Sequence, residues 1–348
     1  MGRLAIMRLL VFAAFILSPA AAGSDQILTG AGATFPHPLY QKWFDLYQQR
    51  DGVRVTYQAV GSGGGIRKLL ERSVDFGATD AFLSNEELAN APARILHLPT
   101  CVGAVAITYN VPGGPELKFT PDLLAAVFLG RLTSWQDPRI ASVNPGVKLP
   151  ALEMTVVHRS EESGTTFLFT DYLSKVSRDW EERVGRGRKV RWPCGIGVEG
   201  NPGVADFVKK IPGAVGYVEL SYAQAQGLPA GIIMNRAGGF IRPTLQSVTA
   251  AATLELPADT RILITDTSAA DGYPVSAFTY LIFYQEQSYD NRSEERARTL
   301  ARFLWWIIHE GQAHNQSLLY APLSGPAVEG AERILHTMTY RGRPLIAP

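Results

Sequence analysis

Three runs of small residues punctuate the chain: Gly30-Ala-Gly-Ala-Thr-Phe35, Gly61-Ser-Gly-Gly-Gly65 and Arg159-Ser-Glu-Glu-Ser-Gly-Thr-Thr166. Each stands directly before a segment of helical periodicity, and β-rich segments precede them at Gln26–Gly30, Val53–Val60 and Met154–His158. A strand that passes through a tight turn of small residues into a helix is the repeating unit of an α/β fold with mostly parallel connections. The same pattern carries chemistry. A helix start exposes backbone N–H groups without intrahelical partners and the positive end of the macrodipole, so it attracts anions. One such start is commonplace. Three of them, one beside an arginine, point to a pocket built around a single tetrahedral oxyanion.

Further strands are expected at Asp75–Thr79, Val102–Tyr109, Ala214–Val218 and Pro274–Tyr284. Between strands, Tyr40, Trp43, Phe44 and Tyr47 recur at i, i+3, i+4, i+7, the stripe of an amphipathic helix. Ile66, Leu69, Leu70 and Val74 repeat that logic, and Phe167, Leu168 and Tyr172 do so more loosely. Proline and glycine gather at Tyr109–Pro115 and again across Asp266–Pro274, two places where the chain can pass between lobes. If both are crossovers, lobe I is 23–108 plus 275–348 and lobe II is 109–274. Two strands joining two lobes make a hinge, with the ligand in the cleft between them.

The start of the chain reads as an export signal, residues 1–22. Arg3 and Arg8 form a basic region, Leu9–Leu17 an apolar one, and Ala20-Ala-Ala22 a cleavage site. The apolar run is too short to span a bilayer, which takes about 20 residues. Cleavage after Ala22 would leave most of the 348 residues, too many for one typical core, and an exported, soluble protein. The formal charge of the whole chain is only +1, which argues against a nucleic-acid partner. Cys101 and Cys194 are the only thiols. An oxidising compartment permits a disulfide between them, while the apolar surroundings of Cys101 suit a free cysteine packed as a small hydrophobe. Both readings stay open.

Each motif has a plainer alternative. Gly61-Ser-Gly-Gly-Gly-Ile-Arg-Lys68 lacks G-K-[ST], so it is not a nucleotide P-loop; it can be a tight turn, or Ser62 and the following amides can bind an anion. Thr34 and Phe35 can serve merely to begin the helix near Pro36. The third run is more specific, because Arg159 supplies a cationic fork and Ser163, Gly164 and Thr165 add hydroxyl and amide donors. Glu161 and Glu162 suit a helix N-terminus, or Glu161 pairs with Arg159 and orients it. Asp80 either begins a turn or has a discriminating role. A carboxylate only accepts hydrogen bonds, so it welcomes an anion that still carries a proton and opposes sulfate, which has none to give. An unmet buried polar group costs ~1–3 kcal/mol, so one aspartate can supply a large selectivity.

Signatures of catalysis are poor. His309-Glu-Gly-Gln-Ala-His314 places its histidines five apart, where a zinc helix needs four. No G-x-S-x-G elbow occurs. His158 and Arg159 alternate along a strand and face opposite ways, so His158 reads as structural. No metal and no cofactor is expected.

With these residues assembled, the chain resembles the periplasmic phosphate-binding proteins of phosphate-specific ABC transporters. The likeness runs through Thr29-Gly-Ala-Gly-Ala-Thr-Phe-Pro36, Gly61-Ser-Gly-Gly, Val74-Asp-Phe-Gly-Ala-Thr-Asp80, Ser163-Gly-Thr-Thr-Phe167, Trp192-Pro193 and Pro212-Gly-Ala-Val-Gly-Tyr-Val-Glu219. It implies a periplasmic, α/β, two-lobed type II-like binding protein, non-enzymatic and monomeric, that closes on inorganic phosphate and delivers it to a membrane permease. It also implies phosphate contacts from Thr34, Phe35 through its backbone amide, Ser62, Asp80, Arg159, Ser163, Gly164 and Thr165, with Glu161 supporting Arg159. The family's loop usually has an aspartate and then a small residue where this chain has Glu161 and Glu162, and aliphatic residues are expected where it has Cys101 and Cys194. The alternatives are a receptor for another oxyanion, or a secreted phosphatase using the same cleft.

Overall fold

The computed structural model describes residues 27–347, so the export signal expected at 1–22 lies outside the described residues. The strands, in chain order, are β1 (Ile27–Gly32), β2 (Arg54–Gln58), β3 (Phe76–Thr79), β4 (Ile95–Tyr109), β5 (Lys118–Phe119), β6 (Thr155–Arg159), β7 (Ile196–Val198), β8 (Ala214–Glu219), β9 (Ile232–Met234), β10 (Phe240–Ile241), β11 (Ser276–Tyr284), β12 (Thr339–Tyr340) and β13 (Arg343–Pro344). Eight of them form one sheet in the order β2-β1-β3-β11-β4-β8-β6-β7. Its two ends, β2-β1-β3 and β8-β6-β7, are parallel blocks. The strand segments expected from sequence all lie in this sheet.

The centre departs from the expectation of mostly parallel connections. β11 runs antiparallel to both β3 and β4, and β4 runs antiparallel to β8. The reason is their task. These strands carry the chain from one parallel block to the other instead of closing strand–helix–strand units. β4 shows this along its length: Ile95–Ala104 pair with β11, and Val105–Tyr109 pair with β8. All of its residues are buried, as a central strand covered on both faces requires.

Helices cover both faces. Leu39, Tyr40, Trp43, Phe44 and Tyr47 of the helix His37–Asp51 enter the core, where Phe44 and Tyr47 meet Phe303 of the helix Glu294–Ile308. The second small-residue run is not a turn before a helix, because the helix Gly61–Leu70 begins at the first glycine. Close packing explains the glycines: a Cβ on Gly65 would lie 2.6 Å from the Ala31 carbonyl oxygen and 2.5 Å from Gly32 Cα. Cys101 and Cys194 are both free, Cys101 in the core and Cys194 beside the Val127 and Phe128 carbonyls. Among the described residues no helix is long and apolar enough to cross a membrane.

Candidate functional site

The carboxyl ends of the parallel strands converge. β1 leads into Thr34 and Phe35, β3 into Asp80, β6 ends on Arg159, and β7 leads into the helix Gly200–Lys210. Ligands of open α/β sheets bind at this edge, beyond the carboxyl ends of the strands. Thr34, Phe35, Ser62, Asp80, Arg159, Ser163 and Thr165 are each at most 4% exposed, and Gly164 is buried among them. All eight residues singled out from sequence therefore come together, with Thr34, Phe35, Ser62 and Asp80 from one block and the others from the second.

Gly164 marks how closely the blocks meet: a Cβ there would collide with both Asp80 Oδ2 and Ser62 Oγ. Close by, Gly63 N donates to the Glu162 carbonyl at 3.1 Å, while the Glu162 carboxylate lies over Gly63. Ser163 caps the helix Gly164–Val176 by accepting from Thr166 N at 3.1 Å, which leaves its hydroxyl proton free to donate. Ser62 Oγ accepts from Asp80 N at 3.2 Å. The Phe35 carbonyl is held by Tyr320 Oη at 2.7 Å and the Thr34 carbonyl by Tyr222 Oη at 2.7 Å, so both ends of the β1 turn are tied down.

Arg159 is the buried cation of the site. Its Nε donates to Glu161 Oε1 at 2.8 Å, and Nη2 also reaches that oxygen, so the longer carboxylate at 161 makes the pair despite its extra methylene. Nη1 donates to Thr165 Oγ1 at 3.1 Å and Nη2 to Thr34 Oγ1 at 3.2 Å. A guanidinium has five N–H groups. Four are thus engaged by protein, and one on Nη1 remains for a ligand, together with the charge. His158 turns away and stacks on Trp192, centroids 4.9 Å apart.

Asp80 faces these donors from the first block, while Glu161 holds Arg159 from the second. Asp80 Oδ1 accepts from Thr279 Oγ1 at 2.7 Å, and Ser62 Oγ lies at 3.5 Å from Oδ2. Burial pushes its pKa up to about 7, against the opposing pull of the Thr279 hydroxyl, the Arg159 charge and Ser62. Behind it, burial pushes Glu219 up to about 8, although Ser221 and Tyr320 donate to its carboxyl group. Among the described residues no group of three or more His, Cys, Asp and Glu could hold a metal.

Sequence reasoning missed Asn201, Thr279 and Tyr222. Asn201 had a readable signal. Gly200-Asn201 follows β7 and opens a helix, so the strand, small residue and helix pattern occurs a fourth time. Thr279 and Tyr222 had none, because nothing local ties them to strand ends far away in sequence.

The enclosed donor set at the carboxyl ends of two strand blocks defines a class: a binding protein for a small anion. A profile of the PBP superfamily domain matches residues 18–310. The phosphate-binding protein PstS of Pasteurella multocida (strain Pm70) is 36% identical over 334 residues, 94% of each chain. That of Methanocaldococcus jannaschii is 38% identical over 312 residues, 83% of this chain and 80% of its own. The chain belongs to the PBP superfamily and, within it, to the family of PstS phosphate-binding proteins. Among solved structures, a high-affinity periplasmic phosphate-binding protein bound with phosphate superposes with a TM-score of 0.71 at 20% identity, covering 88% of this chain and 93% of its own. An ABC-type phosphate transport receptor from Vibrio cholerae gives 0.55 at 19%, covering 85% and 100%. At such identities these two likenesses speak for the fold.

Proposed function

We propose that this protein is a non-enzymatic receptor for inorganic phosphate that delivers its ligand to an ABC-transporter permease. The observation that carries the reading is the convergence of donors on one buried point opposite Asp80, a carboxylate that only accepts once it is ionised above its raised pKa of about 7. The hydroxyls of Thr34, Ser62, Ser163 and Thr165, the amides of Phe35 and Gly164 and the guanidinium of Arg159 supply donors, and Asp80 accepts the ligand's own proton. A tetrahedral dianion with one proton, HPO₄²⁻, matches that set; sulfate leaves Asp80 facing an acceptor.

The two lobes are 23–108 with 275–348, and 109–274. In support, β4 changes partner between Ala104 and Val105, and β11 returns the chain to the first block. Donors on both lobes favour the closed state through contacts that only that state makes. Export by the signal at 1–22 and action as a monomer complete the proposal.

Equilibrium dialysis of phosphate-stripped protein against labelled phosphate, with sulfate and arsenate as competitors, tests it. Saturable phosphate binding that sulfate fails to displace is expected. Displacement by sulfate as effective as by phosphate would overturn it.

A further inference from the structure

Thr34 Oγ1 and Thr165 Oγ1, one from each block, receive N–H groups from the same two residues. Arg159 serves both, as described above. Asn201 spends both protons of its side-chain amide on them, Nδ2 donating to Thr34 at 2.8 Å and to Thr165 at 3.1 Å. Its backbone N–H also reaches Thr34 Oγ1, at 3.2 Å. Asn201 is fully buried, and Glu219 N donates to its Oδ1 at 2.9 Å, which fixes the end of the amide that carries the protons.

A hydroxyl oxygen has two acceptor positions and one proton. At Thr165 both acceptor positions are taken, one by Arg159 Nη1 and one by Asn201 Nδ2, and at Thr34 three N–H groups share the two. All that either hydroxyl has left to offer is its proton, which must find an acceptor. We propose that Asn201 is a positioning residue for the anion: with Arg159 it makes Thr34 and Thr165 obligate donors toward the ligand without touching the ligand itself. This deepens the phosphate-receptor reading and rests on it. Without the Asn201 side chain Thr34 keeps two donors, Arg159 and the backbone N–H of residue 201, but Thr165 keeps only Arg159; its hydroxyl is then free to turn a lone pair toward the anion, and part of the binding free energy goes to restoring its direction.

The test is a set of double-mutant cycles on the full mature chain, pairing Asn201→Ala with Thr34→Val and with Thr165→Val one at a time. Affinity for inorganic phosphate is read by dialysis, with ligand-free thermal unfolding as the check on folding. In the parent background Asn201→Ala is expected to weaken phosphate ~10-fold or more, in the Thr165→Val background by clearly less, and in the Thr34→Val background by nearly as much as in the parent, since Thr34 keeps two donors without the amide. Equal losses with and without the Thr165 hydroxyl would overturn the proposal, because Asn201 would then act through packing. So would an alanine variant that binds as the parent does. If Asn201→Ala does not fold, Asn201→Ser takes its place: it keeps a side-chain acceptor on the side of Glu219 N, but its hydroxyl ends one bond short of the Nδ2 that reaches Thr165, and the same pattern of losses is expected. A parent that fails to bind phosphate sinks the functional reading itself, an outcome distinct from an additive Thr165 cycle in a parent that binds.

Discussion

Thr279 Oγ1 donates to Asp80 Oδ1 at 2.7 Å across the β11–β3 boundary, and a bulge places it there. Thr279 pairs with Cys101 while Tyr280 pairs with Pro99, so Thr100 is the extra residue on β4. Thr100 Oγ1 in turn donates to the Thr279 carbonyl at 3.2 Å. Bulges commonly re-aim side chains beside functional sites, and this one turns a hydroxyl of a linking strand onto the carboxylate that faces the anion. The bond occupies one oxygen of Asp80 and leaves the other toward the cleft.

Compared at a pH above the raised pKa of about 7, where Asp80 is ionised and only accepts, Asp80→Asn introduces a group that can also donate. The amide oxygen still accepts the proton of phosphate, while its N–H₂ can meet a sulfate oxygen. The phosphate-to-sulfate affinity ratio should fall markedly, more through tighter sulfate than through weaker phosphate. Ser62→Ala should weaken both anions and change the ratio less. Competition titrations on the three proteins decide this, and an unchanged ratio in the asparagine variant would leave Asp80 no discriminating role.

Arg159→Ala removes the buried charge and also strips Glu161 of its partner beside the anion. A loss of ~1.5–3 kcal/mol in phosphate binding is expected from the charge-assisted contact. Arg159→Lys should recover only part, because a point charge cannot serve Glu161, Thr34, Thr165 and the ligand together. Calorimetry is the measurement; alanine-variant binding within about twofold of the parent contradicts a contact of this strength.

Gly164→Ala tests the meeting of the lobes by volume alone. Its Cβ would occupy the space held by Asp80 Oδ2 and Ser62 Oγ, so the closed arrangement cannot form unchanged. Small-angle scattering should show the parent compacting on saturation with phosphate and the alanine variant keeping its ligand-free radius of gyration. Compaction of both proteins to the same radius would show that this contact does not limit closure.

Glu219 makes ligand-free stability depend on pH. Its folded-state pKa lies near 8, above the 4.5 usual for glutamate, because burial opposes the charge. Tyr320, Ser221, Asp80 and Cys101 surround it. Between those two values the folded chain binds the proton and the unfolded chain releases it. This contribution is therefore complete at low pH and is lost as pH rises toward 8, with a slope of at most ~1.4 kcal/mol per pH unit. Glu219→Gln should flatten the dependence between pH ~5 and ~8 in denaturant titrations. The part of the slope due to Asp80, raised to about 7 by its own burial, should remain, and an unchanged slope would assign the whole of it to other groups.

Much of this was legible in the sequence, for local reasons. Helix starts and strand ends are written in short spans, so Thr34, Ser62, Arg159 and Ser163 could be picked out by their neighbours, and the aromatic stripe from Tyr40 to Tyr47 by its period. Tyr222 and Thr279 could not, since each acts on a residue brought near only by the completed sheet. The direction of β4 and β11 was likewise hidden. An apolar run states that a strand is buried but not which way its neighbours point. Glu161 shows the limit of expectation by residue type: its longer side chain reaches Arg159 because Gly200 N also donates to the same oxygen, at 3.2 Å.

The pairing of β3 with β11 has a consequence in time. Thr79 meets Tyr280, so the first block's sheet is completed by a strand made near the end of synthesis. Until β11 emerges, the inner edge of β3 has no partner, and the strand ends that carry Thr34, Ser62 and Asp80 lack the hydroxyl of Thr279. Long-range pairing of this kind is slow. The first block of a growing chain therefore stays open on this side until Tyr284 of the 348 residues has been made, however early its other strands are complete.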